Sequence, residues 1–378
     1  MRSPPAHTVN AGTGPGTTGE GTALPGGSDY SRILIVTDAW HPQVNGVVRT
    51  LQHLADNLVA TGNTVEFLTP QEFRTIPMPS YPDIRLALAT PGKVGRRIEA
   101  FRPDHIHIAT EGPLGILARW HCLKRGHVFT TSYHTRFPEY VRARVPIPES
   151  WIYRRLRRFH NSGAGTLVAT PSLAKELTGR GFKKVRLWTR GVDTEFYRPD
   201  RKPVLDLPRP IFLSVGRVAV EKNLPAFLDL DLPGSKVVVG DGPGLASLQQ
   251  RYPNVHFLGM HTGNALAHIY ASCDVFVFPS RTDTFGIVLL EALASGLPVA
   301  AYNVTGPADV FADGIGGALS DDLREAALTA LAIDRETARR KATTYSWAAC
   351  AALFMRHVRA AHVDQTAVSP AAEAAPSY

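Results

Sequence analysis

The hydrophobic pattern of this chain switches between two periods, and it does so in two series. Short β-branched runs at Ile33–Thr37, Thr64–Thr69, His105–Thr110, Val128–Ser132 and Thr166–Thr170 read as strands. Stretches such as Val48–Ala60, Leu114–Lys124 and Trp151–Asn161 carry helical spacing between them. After the Pro-rich segment Arg198–Pro210 the alternation restarts with Ile211–Val215, Lys236–Val239, Val255–Leu258, Val275–Phe278 and Pro298–Tyr302. Strand–helix alternation builds parallel sheets covered by helices on both faces. A chain of 378 residues is long enough for two such cores. The expected fold class is therefore α/β, with two Rossmann-like, doubly wound domains over 31–200 and 207–345. A helix from Trp347 to about His362 (346–362) closes the ordered part. The Gly-, Pro-, Thr- and Ser-rich tail 1–30 and the tail 363–378 are expected to be disordered. Two such domains facing each other place the carboxyl ends of their strands around one cleft, where ligands bind in such sheets.

Composition narrows the class. With 44% hydrophobic and 20% charged residues the chain reads as a soluble globular protein, and no apolar run approaches a membrane span. The N-terminus lacks the apolar region of a secretory signal, so a cytoplasmic location is expected. Cys122, Cys273 and Cys350 are far apart, which fits buried thiols in a reducing compartment better than disulfides or a zinc site. The net charge of +8 admits anionic partners. Much of it is local: Arg136–Arg158 holds seven arginines against two glutamates, interleaved with Phe137, Tyr140, Trp151 and Tyr153. That composition suits either an anionic bilayer surface or a solvated helix face with its aromatics in the core.

Four loops carry the chemistry. The run Asp283-Thr-Phe-Gly-Ile-Val-Leu-Leu-Glu291 follows a strand and opens a helix. Gly286 lets the backbone pass close to a ligand, and the amides around Phe285, Gly286 and Ile287 lack intrahelical partners, so they can bind a phosphate. Asp283 is placed for sugar hydroxyls or, alternatively, as an ordinary helix cap; Glu291 is placed for a further hydroxylated group such as ribose. In Gly216-Arg-Val-Ala-Val-Glu-Lys-Asn223, Arg217 and Lys222 combine a planar fork with a point charge, a pair suited to a diphosphate if they are not simply solvated. Asn45 and Gly46 precede a helix, as a second phosphate cradle or a plain turn. His134, just after a strand, should point into the cleft and hydrogen-bond a sugar hydroxyl or the departing phosphate, unless it is one of many incidental histidines.

Other patterns carry less. Asp229-Leu-Asp231 reads as a polar turn and Gly240-Asp-Gly-Pro-Gly244 as a tight turn without the ending of a P-loop. His105 and His107 alternate along a strand without a third ligand, so no metal is expected. No G-x-G-x-x-G marks a nicotinamide or flavin cofactor, and no nucleic-acid-binding motif is present.

Together, Asn45-Gly46-Val47, Tyr133-His134-Thr135, Gly216-Arg217 with Glu221-Lys222-Asn223, and the acidic-x7-Glu helix start resemble the family-4 retaining glycosyltransferases of the GT-B fold. The resemblance runs from about Arg32 to Ala360. It implies that Gly46 lies against the donor's phosphates and sugar, that His134 contacts the sugar near the reaction centre, and that Arg217 and Lys222 neutralise the leaving diphosphate. It also implies that Asp283, with the backbone of Phe285, Gly286 and Ile287, holds sugar hydroxyls and phosphate oxygens, and that Glu291 binds the ribose. The family most often has Glu at position 283, so the shorter Asp283 puts that sugar contact in doubt. The Thr-Asp-Thr-Phe-Gly version is most similar to the branch of bacterial α-mannosyltransferases and glycosyl-diacylglycerol synthases. The resemblance implies transfer of a hexose from a nucleoside-diphosphate sugar, with GDP-mannose favoured, to an acceptor hydroxyl, with no cofactor. A membrane lipid, reached by peripheral binding at the inner face of the membrane, is the expected acceptor. The alternatives are a UDP-glucose- or UDP-glucuronate-dependent glycosyl-diacylglycerol synthase, a nucleotide-sugar epimerase and a non-catalytic binding protein.

Overall fold

The computed structural model describes residues 30–42, 45–78, 81–134, 136 and 148–366. Two six-stranded parallel sheets dominate it. The first contains β1 (Arg32–Val36), β2 (Thr64–Leu68), β5 (His105–Ile108), β6 (Phe129–Tyr133), β7 (Thr166–Val168) and β8 (Val185–Leu187), in the order β2-β1-β5-β6-β7-β8. The second contains β9 (Ile211–Val215), β10 (Ser235–Val239), β11 (His256–Phe257), β12 (Val275–Phe278), β13 (Val299–Ala301) and β14 (Gly317–Leu319), in the order β11-β10-β9-β12-β13-β14. In both, the direction of strand addition reverses next to the first strand, which opens a crevice at the carboxyl ends of β1/β5 and β9/β12.

The ten strands read from the sequence are all present, shifted by at most two residues at an end. Strands β8 and β14 and an antiparallel hairpin, β3 (Thr75–Met78) with β4 (Tyr81–Ala87), add to that reading. Burial explains why the central strands are continuous apolar runs: Ile33, Leu34, Ile35 and Val36 are wholly buried, as are Ile211, Phe212 and Leu213.

The C-terminal helix runs from Trp347 to Thr366, so 363–366 continue it where a disordered tail was expected. It crosses back and packs on the first sheet: Trp347, Cys350, Phe354 and Val358 share a core with Ile33, Ile35, Leu54 and Trp188. The Trp188 indole donates to the Cys350 carbonyl at 3.2 Å. Burying Phe354 and its neighbours, at roughly 1.5–3 kcal/mol per large side chain, ties the end of the chain to its beginning. The rest of both tails lies outside the described residues. All three cysteines are buried and free.

Candidate active site

The loop after β12 sets one wall. Gly286 has φ +86°, a left-handed conformation that a side chain at this position would strain, and an added Cβ would come within 3.0 Å of the Phe278 ring. The helix Ile287–Ala294 starts directly after it, capped by Gly286 and not by Asp283. The ordinary-cap reading of Asp283 is thereby corrected. Its carboxylate instead accepts from Lys222 Nζ at 2.7 and 2.9 Å. Phe285 contributes only its backbone, since its ring is buried in the core of the second half.

The loop after β9 completes that wall. Gly216, Arg217 and Lys222 line one recess with Phe278, Pro279 and Ser280. The recess lies at the carboxyl ends of the adjacent strands β9 and β12, where the strand order reverses. Arg217 Nη2 pairs with Glu221 at 2.7 Å. Asn223, itself at φ +53°, donates to the Pro279 carbonyl at 3.1 Å, and Thr282 Oγ1 donates to the Glu221 carbonyl at 3.4 Å. Two loops, joined by Lys222 and Asp283 across 61 positions of sequence, are thus stitched into one ledge that carries Arg217 and Lys222 on their paired carboxylates. Gly240 sits against it: a Cβ there would meet the Gly216 carbonyl at 1.8 Å, so this turn is packing and not a phosphate loop.

The opposite wall comes from the first half. Asn45 caps the helix Gly46–Ala60, its side-chain oxygen accepting from Val47 and Val48 N–H at 3.0 Å each. That places Gly46 in the cleft, with Ile287 as the nearest group to where its Cβ would be, at 3.9 Å. One turn along the same helix, Arg49 reaches across to Glu291 Oε1 at 2.6 Å. The other oxygen of Glu291 accepts from the Tyr270 hydroxyl at 3.0 Å. The carboxylate expected to bind ribose is therefore buried and held from both sides. Neither Arg49 nor Tyr270 was singled out by the sequence, because an apolar-looking helix and a core tyrosine give no local signal.

His134 leaves β6 into the cleft, and Thr284 Oγ1 donates to its carbonyl at 2.7 Å, joining it to the loop of Asp283. Its ring is fixed by Arg190, whose Nη2 donates to Nδ1 at 3.2 Å. A guanidinium can only donate, so Nδ1 must be the acceptor and the ring proton sits on Nε2. That Nε2 is buried without a hydrogen-bond partner among the described residues. Burial, and secondarily the Arg190 charge, hold the His134 pKa well below its ordinary value, so the ring is neutral near pH 7. Arg190 is itself buried, donating to the Trp188 and Thr189 carbonyls. Burial lowers its pKa to about 10, which still leaves it charged. The sequence held a hint of it in Arg190-Gly-Val-Asp193 directly after β8, which the reading passed over.

The remaining readings sort as follows. His107 is buried and bonded to Thr130 Oγ1 at 2.8 Å and Ser132 Oγ at 2.6 Å. Asp229 accepts from the Tyr252 hydroxyl at 2.7 Å, consistent with a polar turn. In the basic segment, the helix Glu149–His160 exposes Trp151 and Arg154, Arg155, Arg157 and Arg158, whereas Tyr153 is buried in the core. Of the two readings of this segment, Tyr153 follows the one with its aromatics in the core and Trp151 the other; Phe137 and Tyr140 lie outside the described residues.

The geometry agrees with likeness to known proteins. Residues 44–196 match the model for Glycosyltransferase Family 4, and residues 209–334 that for Glycosyl transferases group 1. A GDP-mannose-dependent alpha-mannosyltransferase of Mycobacterium tuberculosis is 32% identical over 306 residues, covering 74% of this chain and 81% of that one. The chain belongs to glycosyltransferase family 4. It is thus a retaining glycosyltransferase, which leaves the epimerase reading without support. The family-4 chain is also 32% identical over 293 residues to the Sulfoquinovosyl transferase SQD2 of Arabidopsis thaliana, covering 70% of itself but only 56% of that protein. To an Alpha-monoglucosyldiacylglycerol synthase of Streptococcus pneumoniae it is 29% identical, covering 79% of itself and 78% of the relative. Anabaena Alr3699/HepE, solved in complex with UDP and glucose, superposes with a TM-score of 0.66 at 15% identity, over 87% of this chain and all of that one. The shared architecture is the GT-B fold, two Rossmann-like halves. Among the described residues no helix is long and apolar enough to cross a membrane.

Proposed function

We propose that this transferase moves mannose from GDP-mannose to a hydroxyl of a lipid at an anionic membrane surface. The observation that carries the reading is the recess lined by Arg217 and Lys222, with Lys222 held on Asp283, and its connection to His134, whose carbonyl accepts from Thr284 in the same loop. As the bond from the anomeric carbon to the diphosphate breaks, the electron pair goes to the departing oxygen. Arg217, Lys222 and the amides at Phe285–Ile287 stabilise the charge that accumulates there. The acceptor oxygen attacks from the same face, and its proton passes to a leaving phosphate oxygen, so the configuration is retained without a protein nucleophile. His134, neutral and donating, supports a sugar oxygen close to the reacting carbon. Asp283 takes the sugar hydroxyls and Glu291 the ribose, once Arg49 yields. The domain roles follow: 31–200 presents the acceptor and 207–345 holds the donor.

The donor choice is supported by the mycobacterial mannosyltransferase, and the lipid acceptor by the diacylglycerol-linked synthase and by the exposed Trp151 among four arginines. Aromatics at headgroup level and cations on lipid phosphates are what such a surface binds. The experiment is a panel of GDP-mannose, UDP-glucose and UDP-glucuronate against diacylglycerol and phosphatidylinositol in liposomes, read by mass spectrometry of the product. Mannosyl-lipid is expected, in vesicles that carry acidic lipid. Product formed only from a UDP-sugar would overturn the donor assignment, and flotation indifferent to acidic lipid would overturn the membrane assignment.

A further inference from the structure

On the face away from the cleft, the helix Pro91–Phe101 packs beside the helix Pro113–Arg125, and three side chains converge between them. His121 Nε2 lies 2.8 Å and His127 Nε2 2.9 Å from the same oxygen of Glu99, Oε1. One potential ligand atom from each of the three lies within 4.8 Å of the others.

The sequence builds this arrangement in particular ways. Gly126 ends the second helix in a left-handed turn at φ +74°, and His127 N–H closes back on the Cys122 carbonyl at 2.9 Å. That reversal returns His127 alongside His121, so two imidazoles six residues apart aim at one point. Gly95 on the facing helix admits the His121 ring: an added Cβ would meet His121 Nδ1 at 2.6 Å. His121 is buried, His127 and Glu99 are open to water, and the cluster has both a fixed base and an approach.

We propose that Glu99, His121 and His127 form a divalent-metal site of the zinc class, with water in the remaining position. Two imidazole nitrogens and a carboxylate oxygen are a zinc donor set, and zinc takes them at about 2.0–2.2 Å in a tetrahedron. Donor atoms in that tetrahedron are about 3.3 Å apart. The present 2.8 and 2.9 Å His–Glu99 separations need to open by about half an ångström to reach it, and the two imidazole nitrogens lie within 4.8 Å of each other. The ion takes the place of the two Nε2 protons that now hold the rings to Glu99; in a neutral ring that proton moves to Nδ1, and from an imidazolium one proton leaves to water, so the same three residues gather on a stronger centre. His127 directly precedes β6, placing the site at the amino ends of the strands, opposite the sugar-binding end. Its role is to clamp the two helices together, outside the chemistry of transfer.

The test uses the full chain, stripped of metal and titrated with Zn2+ alone against a chromophoric chelator, with Co2+ as a spectroscopic substitute. One Zn2+ per chain is expected, together with Co2+ absorption of a low-coordinate site and a raised melting temperature. His127→Ala and Glu99→Gln lie at the surface and should each weaken binding by at least the ~10–100-fold that even outer-shell changes cost. Glycosyl transfer at cleft residues should be unchanged in both. Absence of saturable binding in the parent chain overturns the proposal, and so does binding that survives in either variant, because a site that tolerates loss of Glu99 or His127 is not this one.

Discussion

The two walls of the cleft are built on different physics. On the second half, the loops after β9 and β12 present charge in pairs: Arg217 with Glu221, and Lys222 with Asp283. Each pair is local in the fold and each cation is partly open to solvent, so a ligand's oxygens can reach Arg217 and Lys222, although the Glu221 carboxylate itself is buried. On the first half, the polar groups are buried and interlocked. Arg190 holds His134, and Arg49 holds Glu291 across the cleft. The second wall offers charge that a diphosphate can claim; on the first, the buried Arg190 fixes the His134 ring, and Arg49 makes the contact between the walls that a ligand at Glu291 would displace.

The largest test of that contrast removes charge from the ledge. Arg217→Ala and Lys222→Ala should each slow turnover by about 10²–10³-fold, the scale of one lost transition-state donor, roughly 2.7–4 kcal/mol. Lys222→Ala should cost little stability, because Asp283 is partly open to solvent, whereas Arg217→Ala should also lower the melting temperature, because the Glu221 side chain left behind is buried. Steady-state kcat beside an unfolding curve separates the two effects. Near-normal kcat in both variants would break the mechanism.

A smaller effect should follow from loosening the other wall. Arg190→Met leaves His134 in place but removes the donor that fixes its tautomer. A rate loss of about 10–100-fold is expected, comparable to removing the support of an active-site group. A merely structural Arg190 would not change the pH profile, whereas a positioning one does. Removing a neighbouring positive charge raises the His134 pKa, so protonated, inactive imidazolium appears at higher pH and the acid limb of kcat moves upward. An acid limb that stays in place, at any residual rate, would show that Arg190 does not act through His134.

These walls were not equally legible in the sequence. The charged residues Arg217, Lys222 and Asp283 were marked, because a strand followed by Gly216-Arg217 or by Asp283-x-x-Gly286 declares both its place at a strand end and its chemistry; Pro279 and Ser280 beside them were not. His134 was marked by the same logic. Arg190 and Arg49 were not, since each matters through a residue 56 or 242 positions away. Asp283 shows the converse limit: one acidic residue four before a helix reads equally as a cap, and only the fold, with Gly286 as the cap and Lys222 on the carboxylate, decides it. In the fold, long apolar strands were found to within two residues. The three-residue edge strands β8 and β14 were missed because they bury too little to impose a pattern. The cluster of Glu99 with His121 and His127 was missed for the same reason as Arg190: 22 and 28 residues separate its members.

The mildest effect concerns Arg49, where the two walls touch. Its guanidinium occupies the carboxylate that the proposed function gives to the donor's ribose, and on that proposal donor binding displaces an ion pair already formed. Two terms oppose each other. Arg49→Met leaves the buried Glu291 with the neutral hydroxyls of Tyr270 and Tyr197 beside it, which costs stability because an uncompensated buried charge is expensive. The same substitution frees Glu291 for a ribose hydroxyl, so the bound state recovers part of what the free protein loses. The donor KM should therefore fall a few-fold, on the order of 1 kcal/mol, while the melting temperature without donor drops and is largely restored by saturating donor. A donor KM that rises in Arg49→Met would mean that Arg49 contacts the nucleotide itself, and the division between a wall that binds and a wall that orients would have to be redrawn at this residue.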